Sequence, residues 1–565
     1  MTRVRPLPVI LCAFMLVTFP LRLREHDTFQ VEFDQANIQQ YLWLMAHGQR
    51  PYGTLAESHA FGDHFDPVLY LFCLPFRWLP SFELYLLMHL GLMLVGGVAV
   101  FRLAHRKLES EWLAAACTMA YMFNPLTLGV SLYPLPHVAV GLAAFLWALA
   151  LDCDPRALAV GLLVAAASVE MALLPFLGLA LYLLSQKEYK KGLVLAAASL
   201  FLMVLLTQVV TPTFGAVGQH AGLDRQFGRF DYLKQDVAGL PGRLATHAAA
   251  FWSLDRTLLA QMFLATAGLF VLALPACLAF LPGLIINLAA DFWGMHSVFL
   301  HYQAIVVGGL YFAAICGLER LGDQHRSRAA VFLLVGTAGS LLLGNPLAGR
   351  VGQSPERVAQ LSTALDRLPP QASVLAPAST VSHLAFRPQV YSLPSLTETP
   401  SWQSSAAHQA QVDWILLDLD GLGFPWRKDM LNLKAQQILQ DPDYGFHSAI
   451  GRLVLLERGN TTPLPEGLVK VIPTYSSLEL VNAYLAGGFP EQAQAELDRL
   501  LGQAESPVLC YWQGRIFQQQ RAVEKSNQWF ERALEQGPSD DLRQELLAQL
   551  ETNRRGYVPQ IAPRY

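Results

Sequence analysis

Polar side chains of types that can do chemistry are concentrated in one stretch near the amino terminus. Asp34 is followed by the amides Gln35 and Gln39, in a segment whose apolar residues recur at helical spacing. Carboxylates and amides exchange protons or bind polar groups of a substrate. The alternative is structural, because an aspartate in the first turn of a helix caps free N–H groups and complements the helix dipole. The spacing predicts an amphipathic helix with Asp34 near its start.

A second polar group follows in the same stretch and contains Asp63, His64 and Asp66 before Pro67. A histidine between two carboxylates could bind a metal ion, although no second histidine stands at a ligand spacing. The same residues could form a polar turn before a helix that begins at Pro67. Both interpretations remain open from the sequence.

The composition indicates the kind of molecule that must position these residues. Of 565 residues, 53% are hydrophobic and only 15% are charged, and the mean hydropathy is +0.32. This balance is typical of a membrane protein rather than a soluble enzyme. The formal net charge of −4 provides no basic excess for a phosphate backbone, so no nucleic-acid partner is expected.

Apolar runs long enough to cross a membrane recur through the first 344 residues. The first run lies between Pro6 and Leu23, and a cleaved signal peptide is the alternative for it. Counting the first, about eleven spans are predicted, several of them short. The others are approximately Glu83–Leu103, Trp112–Val130, His137–Leu151, Ala157–Val169, Met171–Leu184, Gly192–Val210, Leu258–Leu274, Ala276–Ala290, Ala304–Leu318 and Ala329–Leu343. Breaks at Asn124-Pro125 and Tyr133-Pro134-Leu135-Pro136 hint at a site within the membrane, since broken helices need a protein-enclosed surrounding. The frequency of proline in membrane helices is the plainer explanation.

Basic residues set the expected orientation. Arg3 and Arg5 precede the first span, and the clusters at 102–107, 187–191 and 320–328 fall on the same side when the chain alternates through the spans. The amino terminus is therefore predicted to be cytoplasmic. Loops 24–66 and 211–256 and the whole carboxyl-terminal part are then on the outer side, periplasmic in a bacterium with two membranes. The predicted helix at Asp34 would lie on the outer surface of the cytoplasmic membrane.

Two further units are predicted after the membrane domain of residues 1–344. Short β-rich runs at 373–376, 389–391, 412–418 and 452–456 indicate a small α/β domain over residues 345–460. Residues 474–550 read as helical hairpins, because Leu497 and Leu501 are matched by Phe530 and Leu534 at close to the roughly 34-residue tetratricopeptide period. Such hairpins would provide a docking surface for a protein partner.

Several familiar site types lack support in this sequence. The seven cysteines include no C-x-x-C pair, so a zinc site or a disulfide framework is not expected. The phosphate-loop, H-E-x-x-H and G-x-S-x-G motifs are missing too.

The opening stretch resembles that of a bacterial membrane-protein family of unknown function, number 2079. The residues that carry the resemblance over approximately positions 6–458 are Asp34, Gln35, Gln39, Trp43, Gly48, His64-Phe65-Asp66-Pro67, Ser168-Val169-Glu170-Met171, His301-Tyr302, Ser382-His383-Leu384, Arg387, Tyr391 and the run 412–418. Two departures stand out. The more usual His-Phe-Ser-Pro is here His-Phe-Asp-Pro, and Met171 takes the place of an acid after Glu170.

The family is grouped with the C-type (GT-C) glycosyltransferases, so the resemblance implies a polytopic GT-C-like fold and a polyprenyl-phosphate-linked sugar donor. By position, Asp34 would be the carboxylate that deprotonates the acceptor. Glu170 is the second catalytic candidate, since an ionisable group at the end of an apolar span is costly unless it faces a polar cavity or a partner. The turn Asp63–Asp66 would help to shape the site, with a divalent metal as a possible cofactor.

A departing phosphate needs cations or oriented donors. The candidates to bind it are Arg225, Arg229, His296, His301 and Tyr302. A solvated charged face is the alternative for the two arginines, because aspartates are interleaved with them.

The sequence thus predicts a mainly α-helical multi-pass membrane protein of the inner membrane, with a small outer α/β domain and carboxyl-terminal tetratricopeptide-like hairpins. The preferred hypothesis is a lipid-linked-sugar-dependent glycosyltransferase. A non-catalytic protein that recruits envelope partners through its hairpins is the first alternative, and a transporter is the second, because broken helices and intramembrane carboxylates also build substrate paths.

Overall fold

A computed structural model describes most of the chain. The described residues are 6–30, 33–215, 228–234, 239–347, 353–393, 399, 401–419, 428–465, 477–501, 506–520 and 522–555. Arg3, Arg5 and Arg225, which the sequence analysis singled out, lie outside these residues.

Helices dominate the described residues. The helices of eight or more residues in the first part are α1 (Pro6–Asp27), α2 (Phe33–Ala46), α3 (Phe82–Leu108), α4 (Glu111–Phe123), α5 (Pro125–Leu132), α6 (Pro136–Ala150), α7 (Pro155–Ala166), α8 (Leu173–Ser185), α9 (Tyr189–Leu205), α10 (Leu240–Ala265), α11 (Leu281–Ala289), α12 (Ala304–Glu319) and α13 (Asp323–Leu343). Those that follow are α14 (Pro355–Asp366), α15 (Lys428–Leu439), α16 (Ser477–Gly487), α17 (Pro490–Leu501), α18 (Pro507–Gln519), α19 (Val523–Glu535) and α20 (Asp540–Arg555). Shorter helical turns lie at Ala60–Asp63, Leu69–Phe72, Leu74–Arg77, Glu170–Ala172, Leu206–Val210, Thr211–Phe214, Asp231–Leu233, Leu269–Ala273, Leu274–Cys277, Trp293–His296, His301–Gln303, Val381–Leu384 and Ala406–Gln409.

Several helices are suited to a membrane. Five are long and apolar enough to cross one, and two bent helix pairs raise the number to seven among the described residues. The five are Pro6–Asp27, Phe82–Leu108, Tyr189–Phe214, His301–Glu319 and Asp323–Leu343. The predicted spans from His137 to Leu184 correspond to three shorter apolar helices, Pro136–Ala150, Pro155–Ala166 and Glu170–Ser185. The prediction of a mainly helical multi-pass membrane protein is confirmed.

The predicted helix break at Asn124-Pro125 is stabilised by a side-chain cap and by close packing. The Asn124 side chain accepts hydrogen bonds from the backbone N–H groups of Leu126 and Thr127, and α4 and α5 meet there at a bend of 54°. These bonds satisfy backbone groups that a broken helix leaves open. Gly129 on α5 lies against the loop that precedes α12. A Cβ added to Gly129 would come within 1.8 Å of the Val298 carbonyl oxygen in that loop.

Helix α2 forms where the sequence predicts a helix, but its surroundings differ. Twelve of its fourteen residues are buried. The prediction of an amphipathic helix lying at a membrane surface was therefore wrong in its exposure. The reason is tertiary: the loop between α2 and α3 and the domain after α13 cover the polar face as well as the apolar one. For example, the Gln40 amide donates to Thr54 at 2.8 Å and the Gln39 amide donates to Ser382 at 3.3 Å.

A small sheet lies in residues 353–465, which we call the sheet domain. Its strands are β3 (Val374–Pro377), β4 (Val390–Leu393), β5 (Trp414–Asp418), β6 (Tyr444–Ile450) and β7 (Leu453–Arg458), and a separate two-stranded hairpin is formed by β1 (Tyr52–Gly53) and β2 (Ser58–His59). The strand order is β4-β3-β5-β7-β6, with β3 parallel to both neighbours and the β6–β7 hairpin antiparallel. The four β-rich runs in the sequence thus correspond to strands. Strand β6 was not predicted from the sequence.

The sheet domain packs directly on the membrane-spanning part. The Thr54 hydroxyl bonds to both the backbone oxygen and the backbone N–H of Val390 on edge strand β4. The His383 ring stacks on His26 at the end of α1, with 3.9 Å between ring centroids. The edge strand is thereby covered rather than open to another chain.

Helices α16 to α20 follow as consecutive hairpins. Their small cores contain Ala493 and Leu497 on α17 and Phe530 on α19, all fully buried. Leu497 and Phe530 are the residues whose spacing suggested a repeat. The tetratricopeptide assignment stays a prediction.

Replacing Gly129 by alanine tests the packing at the helix break. Because the added methyl group would meet a backbone oxygen, we expect Gly129→Ala to lower the free energy of unfolding by about 2 kcal/mol. Thermal unfolding in detergent measures this change. Gly91→Ala is the matched control, since nothing lies within 4 Å of its added Cβ. Equal midpoints for the two variants would contradict the close approach.

Candidate functional site

Asp34 lies in the first turn of α2 and is bound by a residue from the proline break. The Tyr133 hydroxyl donates a hydrogen bond of 2.7 Å to Oδ2 of Asp34. Tyr133 itself is only 5% exposed, whereas Asp34 is exposed at the edge of its otherwise buried helix. The carboxylate is therefore both accessible and held by a fixed donor.

His64 and Glu170, which lie 106 residues apart in the chain, form a close ion pair. Nδ1 of His64 and Oε1 of Glu170 are 2.8 Å apart, and Glu170 is 2% exposed. Burial by itself lowers the pKa of His64, but the neighbouring carboxylates of Glu170, Asp63 and Asp66 together raise it to about 10. The imidazole is thus protonated at neutral pH, and its positive charge compensates the buried carboxylate.

Asp66 and His137 form a second buried pair beside the first. Oδ2 of Asp66 and Nδ1 of His137 are 3.8 Å apart, and each residue is 2% exposed. The His137 ring lies 6.0 Å from the His64 ring, centroid to centroid. Burial raises the pKa of Asp66 well above its usual range. Three of the predicted residues, His64, Asp66 and Glu170, are thus brought together with one that was not predicted.

A row of aromatic and cationic side chains continues from Tyr133. The His301 ring lies 5.1 Å from the Tyr133 ring and 4.2 Å from the Tyr302 ring, measured between centroids. Arg229 donates to the Tyr302 hydroxyl at 3.1 Å, and its guanidinium lies 4.5 Å from the centre of the Phe292 ring. The predicted residues Asp34, His301, Tyr302 and Arg229 therefore share one continuous row through Tyr133.

Several buried polar atoms in this region have no hydrogen-bond partner among the described residues. They are Oδ1 of Asp66, Nδ1 of His137, Oε2 of Glu170 and Nδ1 of His301. Leaving such an atom unsatisfied costs on the order of 1–3 kcal/mol. A region built with both unpaired donors and acceptors is suited to a polar ligand.

The other predicted residues have different surroundings. Gln35 accepts a hydrogen bond from Arg22 at 2.6 Å, and Gln39 bonds to the sheet domain. His296 uses both ring nitrogens for protein contacts, to Asp255 at 2.5 Å and to the backbone oxygen of Ala290 at 2.6 Å. Its ring nitrogens are therefore already occupied.

Asp63 ends the short helical turn Ala60–Asp63, next to His64. Across the described parts of the chain, no group of three or more histidine, cysteine, aspartate or glutamate side chains is arranged to hold a metal ion. We therefore assign no step to a divalent metal.

Two residues of the site were not singled out from the sequence. Tyr133 and His137 flank the Pro134-Leu135-Pro136 break, which itself was recognised as a sign of a site within the membrane. The signal that could have found them is the same break, because side chains at both of its ends must face a protein-enclosed surrounding.

Together, the apolar helices, the helix breaks and the buried polar pairs define a multi-pass helical membrane protein with a polar centre at the ends of its broken helices. Residues 25–449 match the model of the DUF2079 family, described as a predicted membrane protein. The chain belongs to this family.

Two solved structures with similar folds are crystal structures of ArnT from Cupriavidus metallidurans. One is bound to undecaprenyl phosphate, at 12% identity and a TM-score of 0.46, covering 80% of this chain and 99% of that chain. The other is in the apo state, at 11% identity and a TM-score of 0.43, covering 82% of this chain and 99% of that chain. No curated protein matches the chain significantly.

The ion pair of His64 and Glu170 predicts a pH-dependent stability. A raised histidine pKa means that the pair stabilises the fold fully below pH 6.5, the usual histidine value, and that this contribution is lost as the pH rises through about 10. We expect Glu170→Gln to lower the free energy of unfolding by about 3 kcal/mol near pH 6.5, and by less near pH 10.

Thermal unfolding across this pH window measures the difference between the wild type and Glu170→Gln. Glu188→Gln is the matched control, because Glu188 is 51% exposed in its pair with Lys191 and should give little change at any pH. A Glu170→Gln deficit that stays constant across the window would contradict a loss of the His64 charge between pH 6.5 and about 10.

Proposed function

We propose that this protein is a GT-C-like membrane glycosyltransferase that transfers a sugar from a polyprenyl-phosphate-linked donor to an acceptor hydroxyl. The observation that carries the proposal is the exposed Asp34 carboxylate, bound by Tyr133 at the helix break and connected through His301 and Tyr302 to the Arg229 guanidinium. A base open to an acceptor, in one site with a cation, is what this reaction requires.

In the proposed reaction, Asp34 takes the proton of the acceptor hydroxyl as its oxygen attacks the anomeric carbon of the sugar. The bond between that carbon and the phosphate oxygen breaks, and the polyprenyl phosphate leaves with the bonding electron pair. Direct displacement inverts the configuration at the anomeric carbon. Arg229, whose guanidinium packs between Tyr302 and Phe292, provides a fixed positive charge for the leaving phosphate.

The buried pairs define a second part of the proposed site. The unpartnered oxygens of Asp66 and Glu170 can accept hydrogen bonds, so they suit the hydroxyl groups of a sugar. Glu170 and the turn Asp63–Asp66 would then orient the donor sugar while the phosphate lies nearer Arg229 and His301. This division separates like charges within one site.

The remaining assignments are parts of the same proposal. We place the protein in a bacterial inner membrane with its amino terminus in the cytoplasm and the sheet domain on the outer side, where lipid-linked sugars are used. Undecaprenyl phosphate, the lipid bound in one ArnT structure, represents the class of carrier proposed for this chain. Helices α16 to α20 would offer a docking surface to a protein partner.

Asp34→Asn is the direct test of the base. Asparagine keeps the size of the side chain and an oxygen that can accept the Tyr133 hydrogen bond, but it cannot take a proton. We expect sugar transfer to fall at least about 100-fold, with unchanged thermal unfolding. The measurement is transfer of radiolabelled sugar in proteoliposomes supplied with a panel of undecaprenyl-phosphate-linked hexoses and a membrane extract as the source of acceptor.

Asp27→Asn is the matched control, because the Asp27 side chain is 65% exposed and lies at the end of α1. Full transfer by both variants would overturn the role of Asp34. A second comparison uses the cell phenotype that depends on this protein. If that phenotype persisted with Asp34→Asn but was abolished by removal of residues 476–565, the protein would instead act by recruiting partners.

A further inference from the structure

The bond between Tyr133 and Asp34 joins two segments that are 99 residues apart in the chain. A hydrogen bond that a phenol hydroxyl donates to a carboxylate is charge-assisted, and such a bond is stronger than one between neutral groups. The bond also fixes which carboxylate oxygen is engaged. With Oδ2 bound to Tyr133, Oδ1 is the second oxygen of this exposed residue.

The position of Tyr133 is fixed by its neighbours rather than by Asp34. Tyr133 lies between α5 and α6 with φ −120° and ψ 76°, outside helical geometry. The next residue, Pro134, accepts a hydrogen bond through its backbone oxygen from the Tyr85 hydroxyl of α3. On the other side, the His301 ring packs against the Tyr133 ring. The hydroxyl of Tyr133 is therefore held in place by contacts that do not involve Asp34.

We propose that Tyr133 is the positioning residue of the base, an inference that rests on the proposed function. It holds the Asp34 carboxylate in one orientation, so that the second oxygen can receive the acceptor proton. The break in the membrane helices thus has a specific task, which is to present a phenol hydroxyl to a residue of the first loop.

The test is sugar transfer by the full-length protein, measured as kcat and KM with the panel of lipid-linked hexoses. Tyr133→Phe deletes only the hydroxyl. We expect it to lower kcat about 10-fold with little change in the KM of the donor, because only the orientation of the base is lost. In an Asp34→Asn background, Tyr133→Phe should lower kcat no further.

Tyr85→Phe is the matched control, because it removes a buried hydroxyl that bonds to the backbone of the same break. A general loosening of the break would affect both variants, so equal falls in kcat in Tyr85→Phe and Tyr133→Phe would overturn the positioning role. A kcat that Tyr133→Phe leaves unchanged, or lowers equally with and without Asp34, would overturn it as well.

The two proposals fail in different ways. An unchanged kcat in Tyr133→Phe, with wild-type protein that transfers sugar, overturns only the positioning role. Wild-type protein that transfers none of the panel overturns the glycosyltransferase proposal, and with it the meaning of Tyr133 as an aid to a base.

Discussion

Pairing of buried charges is the constraint on which the rest of this structure depends. A carboxylate such as Glu170, 2% exposed among apolar helices, is tolerable only with a compensating partner. That partner, His64, comes from the loop after α2, so the electrostatic requirement ties the first loop to the start of α8. Asp66 and His137 bring the same loop against α6 as a buried polar contact rather than a charge pair, because burial raises the pKa of Asp66 well above its usual range. The polar centre therefore holds the helices in a specific arrangement, which apolar packing alone would specify less strictly.

The broken helices follow from the same constraint. A continuous apolar helix presents no free backbone groups, whereas a break exposes several and must satisfy them within the protein. Asn124 does this at the first break with its side chain, and the Tyr85 hydroxyl does it at Pro134. Once the break is satisfied, the residues beside it, Tyr133 and His137, are held firmly enough to contact groups from distant parts of the chain.

Much of this was predictable from residue types, while the pairings were not. Composition and apolar runs predicted the class of protein, and the unusual placement of Glu170 at the end of an apolar run marked it as a member of a polar site. Spacing along the chain cannot reveal that His64 is its partner, because the two residues are separated by 106 positions. His296 was chosen for its type and position, but Asp255 and a backbone oxygen occupy both of its ring nitrogens. Strand β6 was not predicted because only its first two residues are buried, and the others alternate between partly buried and exposed.

The burial of α2 shows why helical spacing alone misleads here. The amide side chains of this helix indicated a surface helix. In the structure, the same side chains contact the sheet domain and the loop between α2 and α3. Gln39 reaches Ser382 of the sheet domain, and Gln40 reaches Thr54, which in turn bonds to the backbone of Val390. A polar helix face can thus be an interface, and its side chains must then find partners across it. Asp34 is in the first turn of this helix. Its orientation therefore depends both on the sheet domain, which contacts the helix, and on Tyr133 of the proline break, which binds the carboxylate.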